Sequence, residues 1–243
     1  MKICGLQKVT TIDYPGEIAC IVFLHGCNFR CGFCYNPELV IVDDDGETGN
    51  RKQVMGTYSD EDVLNFLKGR VGKLDAVCIT GGEPLMSLDF DFVRKIREMG
   101  FKIKIDTNGS FPGRLKEMID LGLVDYIAMD IKGCLEDYEK IVNVKVDVSK
   151  IGESIRMVHD FGEYEFRTTV VERFHDAERF VRIGKWLNSV CDGKPKRFFL
   201  QGFKSGQAMI DSDFEGDRDV GEEFLENMKK SVEGYFEKVE VRI

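Results

Sequence analysis

The sequence lacks long hydrophobic runs: none approaches the ~20 consecutive apolar residues that a membrane-spanning helix needs. Its opening, Met1-Lys2-Ile3-Cys4-Gly5, also lacks the basic-then-apolar pattern of a secretory leader. Both absences lead to the expectation of a cytoplasmic protein with no membrane contact. Positive charge is scarce too, 34 Lys and Arg against 43 Asp and Glu, a net charge of −9. A protein that grips nucleic acid through its phosphates needs clustered cations, so nucleic acid is not an expected partner. There is no internal repeat and no linker rich in Pro, Gly or Ser. A chain of 243 residues fits one large domain or two small ones, and the expectation here is a single domain over 1–243. That length can bury a full core, so no metal is needed merely to hold the fold together.

What is present is an alternation of short β-branched runs with amphipathic stretches. Ile18 to Leu24 reads as a strand buried on both faces. Ser59 followed by Asp62 resembles a capping box, with Val63, Phe66 and Leu67 as the helical stripe behind it. Further strands are expected at Ala76–Thr80, Ile103–Asp106, Tyr126–Asp130, Phe166–Val171 and Arg197–Leu200. The helices between them are marked by Phe92, Val93 and Ile96; by Leu115 and Met118; by Ile151, Ile155 and Val158; and by Phe180, Ile183 and Leu187. A last helix runs through Leu225 and Met228, and Val239–Ile243 offers a terminal strand. Six strand-then-helix units predict an α/β fold with a mostly parallel sheet. They are fewer than the eight that close a TIM barrel, which leaves a partial barrel and a flat doubly wound sheet both open. The acidic stretch from Asp43 to Gly56 reads as part of a solvated loop inserted at 41–58.

Eight cysteines in a reducing compartment read as metal ligands or core residues rather than disulfides. Three of them, Cys27, Cys31 and Cys34, crowd into one loop where the first expected strand ends. Three thiolates can hold three irons of a cubane and leave the fourth open, whereas a structural site closes with four ligands. Two rivals remain on spacing alone. Structural zinc would recruit His25 or a distant cysteine, although no second pair of ligands follows. A closed electron-transfer cluster would recruit Cys78 or Cys134.

Each later strand end also carries a motif. Gly81-Gly82-Glu83-Pro84 pairs glycines that let backbone approach a neighbour closely. Asp106-Thr107-Asn108-Gly109 is turn-forming sequence. Asp130 and Lys132, two residues apart, face one way and can pair. Arg167 stands inside an apolar strand and needs either a carboxylate partner or a ligand. Gln201 ends the sixth strand with a weaker signal. His159 and His175 read as structural or solvent-exposed rather than catalytic, Trp186 as a packing residue, and Cys20 and Cys78 as small hydrophobes in strands.

The CxxxCxxC loop, with aromatic Phe33 before the third cysteine, resembles the signature of the radical S-adenosylmethionine (SAM) superfamily. Tyr35 and Asn36 continue it in the manner of glycyl-radical enzyme activating enzymes, Tyr35 standing where His is common. The resemblance runs from Gly5 through Asp13-Tyr14-Pro15-Gly16 to the sixth strand, and is closest to the anaerobic ribonucleoside-triphosphate reductase activating proteins. It implies a partial (β/α)6 TIM-type barrel of parallel strands, with a radical SAM core at 16–204 and a C-terminal helix and possible strand at 205–243. It implies one [4Fe–4S] cluster on Cys27, Cys31 and Cys34 with an open iron for SAM, since 41–58 holds no further cysteine. By the same resemblance Phe33 lies near the adenine, Gly81 to Pro84 meet the SAM amino group, and Asp106, Thr107 and Asn108 line the pocket. Asp130 and Lys132 reach the SAM carboxylate and ribose region, and Arg167 the carboxylate or a substrate main chain. The implied reaction makes a glycyl radical on a partner, with flavodoxin or ferredoxin as reductant. A small-molecule radical SAM enzyme such as 7-carboxy-7-deazaguanine synthase, and a non-catalytic iron–sulfur or zinc module, are the alternatives.

Overall fold

The computed structural model describes residues 1–40, 57–206 and 208–243, so the expected insertion at 41–58 lies outside them apart from Thr57 and Tyr58. The described chain separates into two compact units. The first comprises Met1–Asn28, Asn36–Thr107 and Lys116–Tyr126; the second comprises Phe29–Tyr35, Asn108–Leu115 and Ile127–Ile243.

The first unit holds β1 (Ile3–Thr10), β2 (Ala19–Leu24), β3 (Ala76–Gly81) and β4 (Lys102–Thr107). β2, β3 and β4 run parallel, with Ala19 opposite Ala76 and Ala76 opposite Lys102. The apolar run of β2 has Ala19, Cys20, Ile21, Val22 and Leu24 all buried, as a strand covered on both faces requires. β1 was not expected. It pairs antiparallel with β2, Leu6 opposite Val22, through register shifts on either side of Gly5–Gln7. Three consecutive buried residues followed by exposed Gln7, Lys8 and Val9 give it neither a helical nor an alternating signature. After β1 the chain turns at Tyr14-Pro15-Gly16-Glu17. The Glu17 amide donates to the Tyr14 carbonyl at 3.3 Å and Gly16 has φ +78°, the type II turn that Pro-Gly favours. The Tyr14 ring then packs on Tyr126, centroids 5.6 Å apart, beside Ile21 and Cys78.

Helices α1 (Pro37–Val40), α2 (Asp60–Lys68) and α3 (Phe90–Glu98) belong to this unit, and α4 (Pro112–Asp120) follows β4. The capping box of α2 forms as expected: Ser59 Oγ accepts from the Asp62 amide at 3.1 Å and the Asp62 carboxylate accepts from the Ser59 amide at 2.9 Å. α3 begins at Phe90, later than the Ser87 start its sequence suggests. Pro84–Met86 first makes a single 3₁₀ turn, and Asp89 then caps the helix by accepting from Asp91 N at 2.9 Å.

The second unit holds β5 (Tyr126–Asp130) from Ile127 onward, β6 (Tyr164–Val170), β7 (Arg197–Gly202) and β8 (Lys238–Arg242), with α5 (Tyr138–Val142), α6 (Val148–Phe161), α7 (Ala177–Cys191) and α8 (Glu222–Val232). These strands pair in parallel in chain order: Asp130 lies opposite Arg167, Phe166 opposite Phe198, and Gln201 opposite Arg242. α6 buries Ile151, Ile155 and Val158, each contributing about 1.5–3 kcal/mol of apolar burial. α7 starts where Asp176 accepts from the Arg179 amide at 2.8 Å. Its Phe180 packs near Phe198, which in turn stacks on Phe236 at 4.5 Å. Among the described residues no helix is long and apolar enough to cross a membrane.

Phe198 therefore joins β7 to the helix on one side and to the C-terminal segment on the other. Phe198→Ala is expected to destabilise the protein by about 3–5 kcal/mol, read as a lower denaturant midpoint in urea unfolding.

Candidate active site

In the first unit the site grows from the end of β2. Leu24 leads into His25-Gly26-Cys27, and this backbone is pinned on two sides. The Gly26 amide donates to the Leu39 carbonyl of α1 at 2.7 Å, and the Gly26 carbonyl accepts from the Glu83 amide at 2.7 Å. The Gly82 amide donates to the Leu24 carbonyl at 3.0 Å. Such proximity explains the paired glycines. A Cβ on Gly81 would lie 2.1 Å from the Leu24 oxygen, and one on Gly82 would lie 2.1 Å from the Gly26 oxygen and 3.0 Å from the Cys27 nitrogen. The close approach read from Gly81 and Gly82 is thus an approach to the cysteine-bearing backbone itself.

Glu83 is 1% exposed, and one oxygen of its carboxylate accepts from Thr107 Oγ1 at 2.8 Å and from the Leu85 amide at 3.1 Å. The Gly-Gly-Glu-Pro segment and Thr107 are therefore tied to each other. Pro84 begins the following 3₁₀ turn. Asp106 is ion-paired with Lys104, a lysine only 2% exposed on the same face of β4. Sequence reasoning passed over Lys104, although Lys102-Ile103-Lys104-Ile105-Asp106 alternates charge with apolar residues and so places an inward cation beside an inward carboxylate.

Cys31 and Cys34 belong to the second unit, where the Cys34 amide donates to the Cys31 carbonyl at 3.1 Å and closes a tight turn. The turn is held from several sides. The Arg30 amide donates to Val142 O at 2.8 Å, and the Asp211 amide to Gly32 O at 3.1 Å. Phe214 sits so close to Gly32 that a Cβ there would fall 2.6 Å from its ring. Phe33 is 4% exposed and packs on Phe174 and Phe214 at 5.9 and 6.0 Å. Tyr35 stacks on Phe203 with a 16° interplanar angle, and its hydroxyl accepts from the Lys204 amide at 2.6 Å. Asn36 lies half-buried just ahead of α1, its carbonyl accepting from the Leu39 amide at 3.0 Å.

Beyond the turn lies a cluster of charges. Arg167 Nε donates to Asp130 Oδ1 at 3.1 Å, and Lys132 Nζ to Asp130 Oδ2 at 3.4 Å. Burial alone would raise the Asp130 pKa, but Arg167 and then Lys132 outweigh it and hold the carboxyl below its ordinary value. Burial likewise opposes the charge on Lys132, yet Asp130 and Cys31 keep the ammonium protonated beyond its ordinary range. The Cys31 thiol is pushed up to about 11 by burial, with the Lys132 ammonium pulling the other way. Arg167 thus has the carboxylate partner that its place in an apolar strand demanded. Asn108 makes a local turn, its Oδ1 accepting from the Ser110 amide at 2.9 Å, while the Gly109 carbonyl accepts from Ser154 Oγ at 2.7 Å.

The backbone at Ile131 and Lys132 is fixed at four points. Ile131 N donates to Arg167 O at 2.7 Å, and Thr168 Oγ1 donates to Ile131 O at 2.6 Å. Lys132 N donates to the Tyr138 hydroxyl at 3.4 Å, and Lys132 O lies 3.0 Å from His175 Nε2. His175 is 1% exposed, and its Nδ1 accepts from the Val171 amide at 3.0 Å, so Nε2 carries the proton that Lys132 O receives. Its structural character was expected; its hold on Lys132 was not. The other side readings hold. His159 meets the Tyr164 hydroxyl at 2.8 Å, Trp186 packs edge-on to Tyr138, and Cys20 and Cys78 are core thiols pushed up to about 12 by burial. Cys134 donates its thiol to Asp137 at 3.4 Å.

Comparison with known proteins identifies the family. The family described as the radical SAM superfamily matches residues 21–183. The chain belongs to the radical SAM superfamily. A Methanocaldococcus jannaschii protein assigned as a glycyl-radical enzyme activating enzyme is 30% identical over 97% of this chain and 98% of its own length. The pyruvate formate-lyase-activating enzyme of Listeria monocytogenes is 28% identical over 54% of this chain and 53% of its own. A solved domain of the corresponding enzyme from Bacteroides vulgatus, 18% identical, superposes with a TM-score of 0.54 over 70% of this chain and 99% of that one. This radical SAM enzyme thus has the fold class expected of it, an α/β chain of mostly parallel strands of the partial-barrel type, and its relatives include the glycyl-radical activating enzymes. Membership implies a [4Fe–4S] cluster and SAM as cofactors. Among the described residues no three His, Cys, Asp or Glu side chains converge as ligands of one ion. A cubane asks for something else, one thiolate on each of three irons, and soft thiols are the donor set this loop offers.

Two outcomes follow from this geometry. Gly82→Ala is expected to push Gly26 and Cys27 aside, lowering stability by about 1–3 kcal/mol and lowering the iron retained after anaerobic reconstitution. The His175 pKa is lowered from 6.5 to about 4 by burial, so in that window the unfolded chain takes up a proton that the folded chain does not. Stability from His175 is therefore full above 6.5 and declines as pH falls towards 4. His175→Gln should flatten that part of the pH–stability curve in denaturant titrations.

Proposed function

We propose that this enzyme is a glycyl-radical activating enzyme whose cluster is held by Cys27, Cys31 and Cys34, and that anaerobic ribonucleoside-triphosphate reductase is its partner. Cys27, Cys31 and Cys34 would hold the cluster, which when bound would pass one electron from flavodoxin or ferredoxin to SAM; the products would be methionine, 5′-deoxyadenosine and, after loss of a hydrogen atom from its Cα, a glycyl radical on the partner. Glycine suits that role because no side chain shields its Cα.

The observation that carries the reading is Cys31. It sits in a tight turn closed by the bond from the Cys34 amide to its own carbonyl, one of three soft thiols on a single loop, which is the donor set that a cubane takes. The remaining roles follow the family resemblance. Gly81 to Pro84 bind the SAM amino group, with Glu83 and Thr107 held against each other. Asp106 and Asn108 line the pocket. Lys132 and Arg167 attract the SAM carboxylate, and Asp130 holds both cations in place. Phe33 lies near the adenine, and its tilted contacts with Phe174 and Phe214 fix the turn that carries it. Tyr35 and Asn36 steady the loop beyond Cys34. The chain forms a single radical SAM domain in function, with 16–204 as its core.

The test is anaerobic reconstitution with iron and sulfide, then reduction in the presence of SAM and the candidate reductase. A doublet glycyl-radical EPR signal on the reductase is expected. Deoxyadenosine in quantity with no glycyl radical on any partner would sink the activating role, and its complete absence would sink the SAM chemistry. Cys31→Ala is expected to abolish deoxyadenosine formation.

A further inference from the structure

β8 was expected only as a terminal strand, and nothing in its sequence tied it to the site. It nevertheless carries Arg242, which donates to both oxygens of Glu165 at 3.0 and 2.9 Å, while its guanidinium stacks on Phe199 with its carbon 3.6 Å from the ring centroid. Glu165 is 2% exposed at its side chain and stands two residues before Arg167 on β6, on the same face. Arg167 therefore lies between two carboxylates. It donates a directed bond to Asp130 at 3.1 Å, whereas its nearest approach to Glu165 is 3.8 Å, an ion pair without a hydrogen bond. Arg242, Glu165, Arg167, Asp130 and Lys132 form a line of alternating charge ending beside Cys31.

We propose that Arg242 is a positioning residue: by engaging both oxygens of Glu165 it keeps Arg167 on Asp130 and aimed at the SAM carboxylate. The inference rests on the functional reading above, which makes Arg167 a SAM contact. Its physical basis is competition. A buried carboxylate stripped of its bidentate partner draws the nearest remaining cation, because an unpaired charge in that position is costly. On the same face Arg167 already stands 3.8 Å from that carboxylate. Turned towards Glu165, it would leave Asp130 with Lys132 alone and shift positive charge away from the site. Arg242 acts through Glu165 and touches no substrate.

The test compares Arg242→Met, Glu165→Gln and the double variant with the parent enzyme, each reconstituted and checked for iron content. SAM affinity is measured by anaerobic equilibrium binding, and deoxyadenosine formation alongside it. Arg242→Met is expected to bind SAM about tenfold more weakly, a loss of the size of one charged hydrogen bond. Glu165→Gln removes the competitor and should stay near the parent. The double variant should recover most of the lost affinity, whereas a merely structural Arg242 would leave it as weak as Arg242→Met or weaker. Parent-like binding in Arg242→Met, or no recovery in the double variant, overturns the proposal. If the parent itself makes no deoxyadenosine, the functional reading has failed instead. A crystal structure of Arg242→Met then still decides this inference: Arg167 bonded to Glu165 supports it, and Arg167 unmoved on Asp130 refutes it.

Discussion

The hydrogen bond from the Glu83 amide to the Gly26 carbonyl is the contact on which the placing of the Cys27 backbone depends. It brings the end of β3 against the backbone that delivers Cys27, at a separation that excludes any Cβ at Gly81 or Gly82. It also fixes where the buried Glu83 carboxylate begins, and that carboxylate in turn holds Thr107 at the end of β4. Three successive strand ends are thereby locked by one short segment. The cost of burying Glu83 is offset by two donors on one oxygen, so the motif is at once a clamp and a polar core element.

The second unit works by charge rather than by backbone proximity. Cys31 sits where burial opposes ionisation and a fixed ammonium favours it. The ammonium owes its place to Asp130 through its side chain, and to Tyr138 and His175 through its backbone. Every charged member has an opposite neighbour, the condition under which partly buried ionic groups are tolerated. The aromatic group of Phe33, Phe174 and Phe214 supplies apolar walls beside the turn.

Much of this was legible because radical SAM chemistry places its motifs at strand ends, and the strands themselves are marked by apolar runs. The cysteine loop, Gly81 to Pro84, Asp106 to Asn108, and Asp130 with Lys132 all stood out on that ground. β1 did not, because its register shifts and its exposed Gln7, Lys8 and Val9 erase the period of two. Lys104 was hidden in plain view by its apolar neighbours. Arg242 was out of reach for a different reason: its partner is 77 residues away, and no local pattern encodes a pairing across that distance. The glycine pair shows a subtler gap. Its need for close approach was readable, but what approaches it is backbone, which no side-chain reasoning names.

The order of strands in the second unit has a kinetic meaning. β6, β7 and β8 each pair with the strand made just before, so this unit can assemble in the order of synthesis with a local closure at each step. Arg242 stands on β8, the strand made after the other three. Glu165 therefore takes its bidentate partner from a segment synthesised well after its own strand, so the ion pairing along β6 is complete only when β8 is in place.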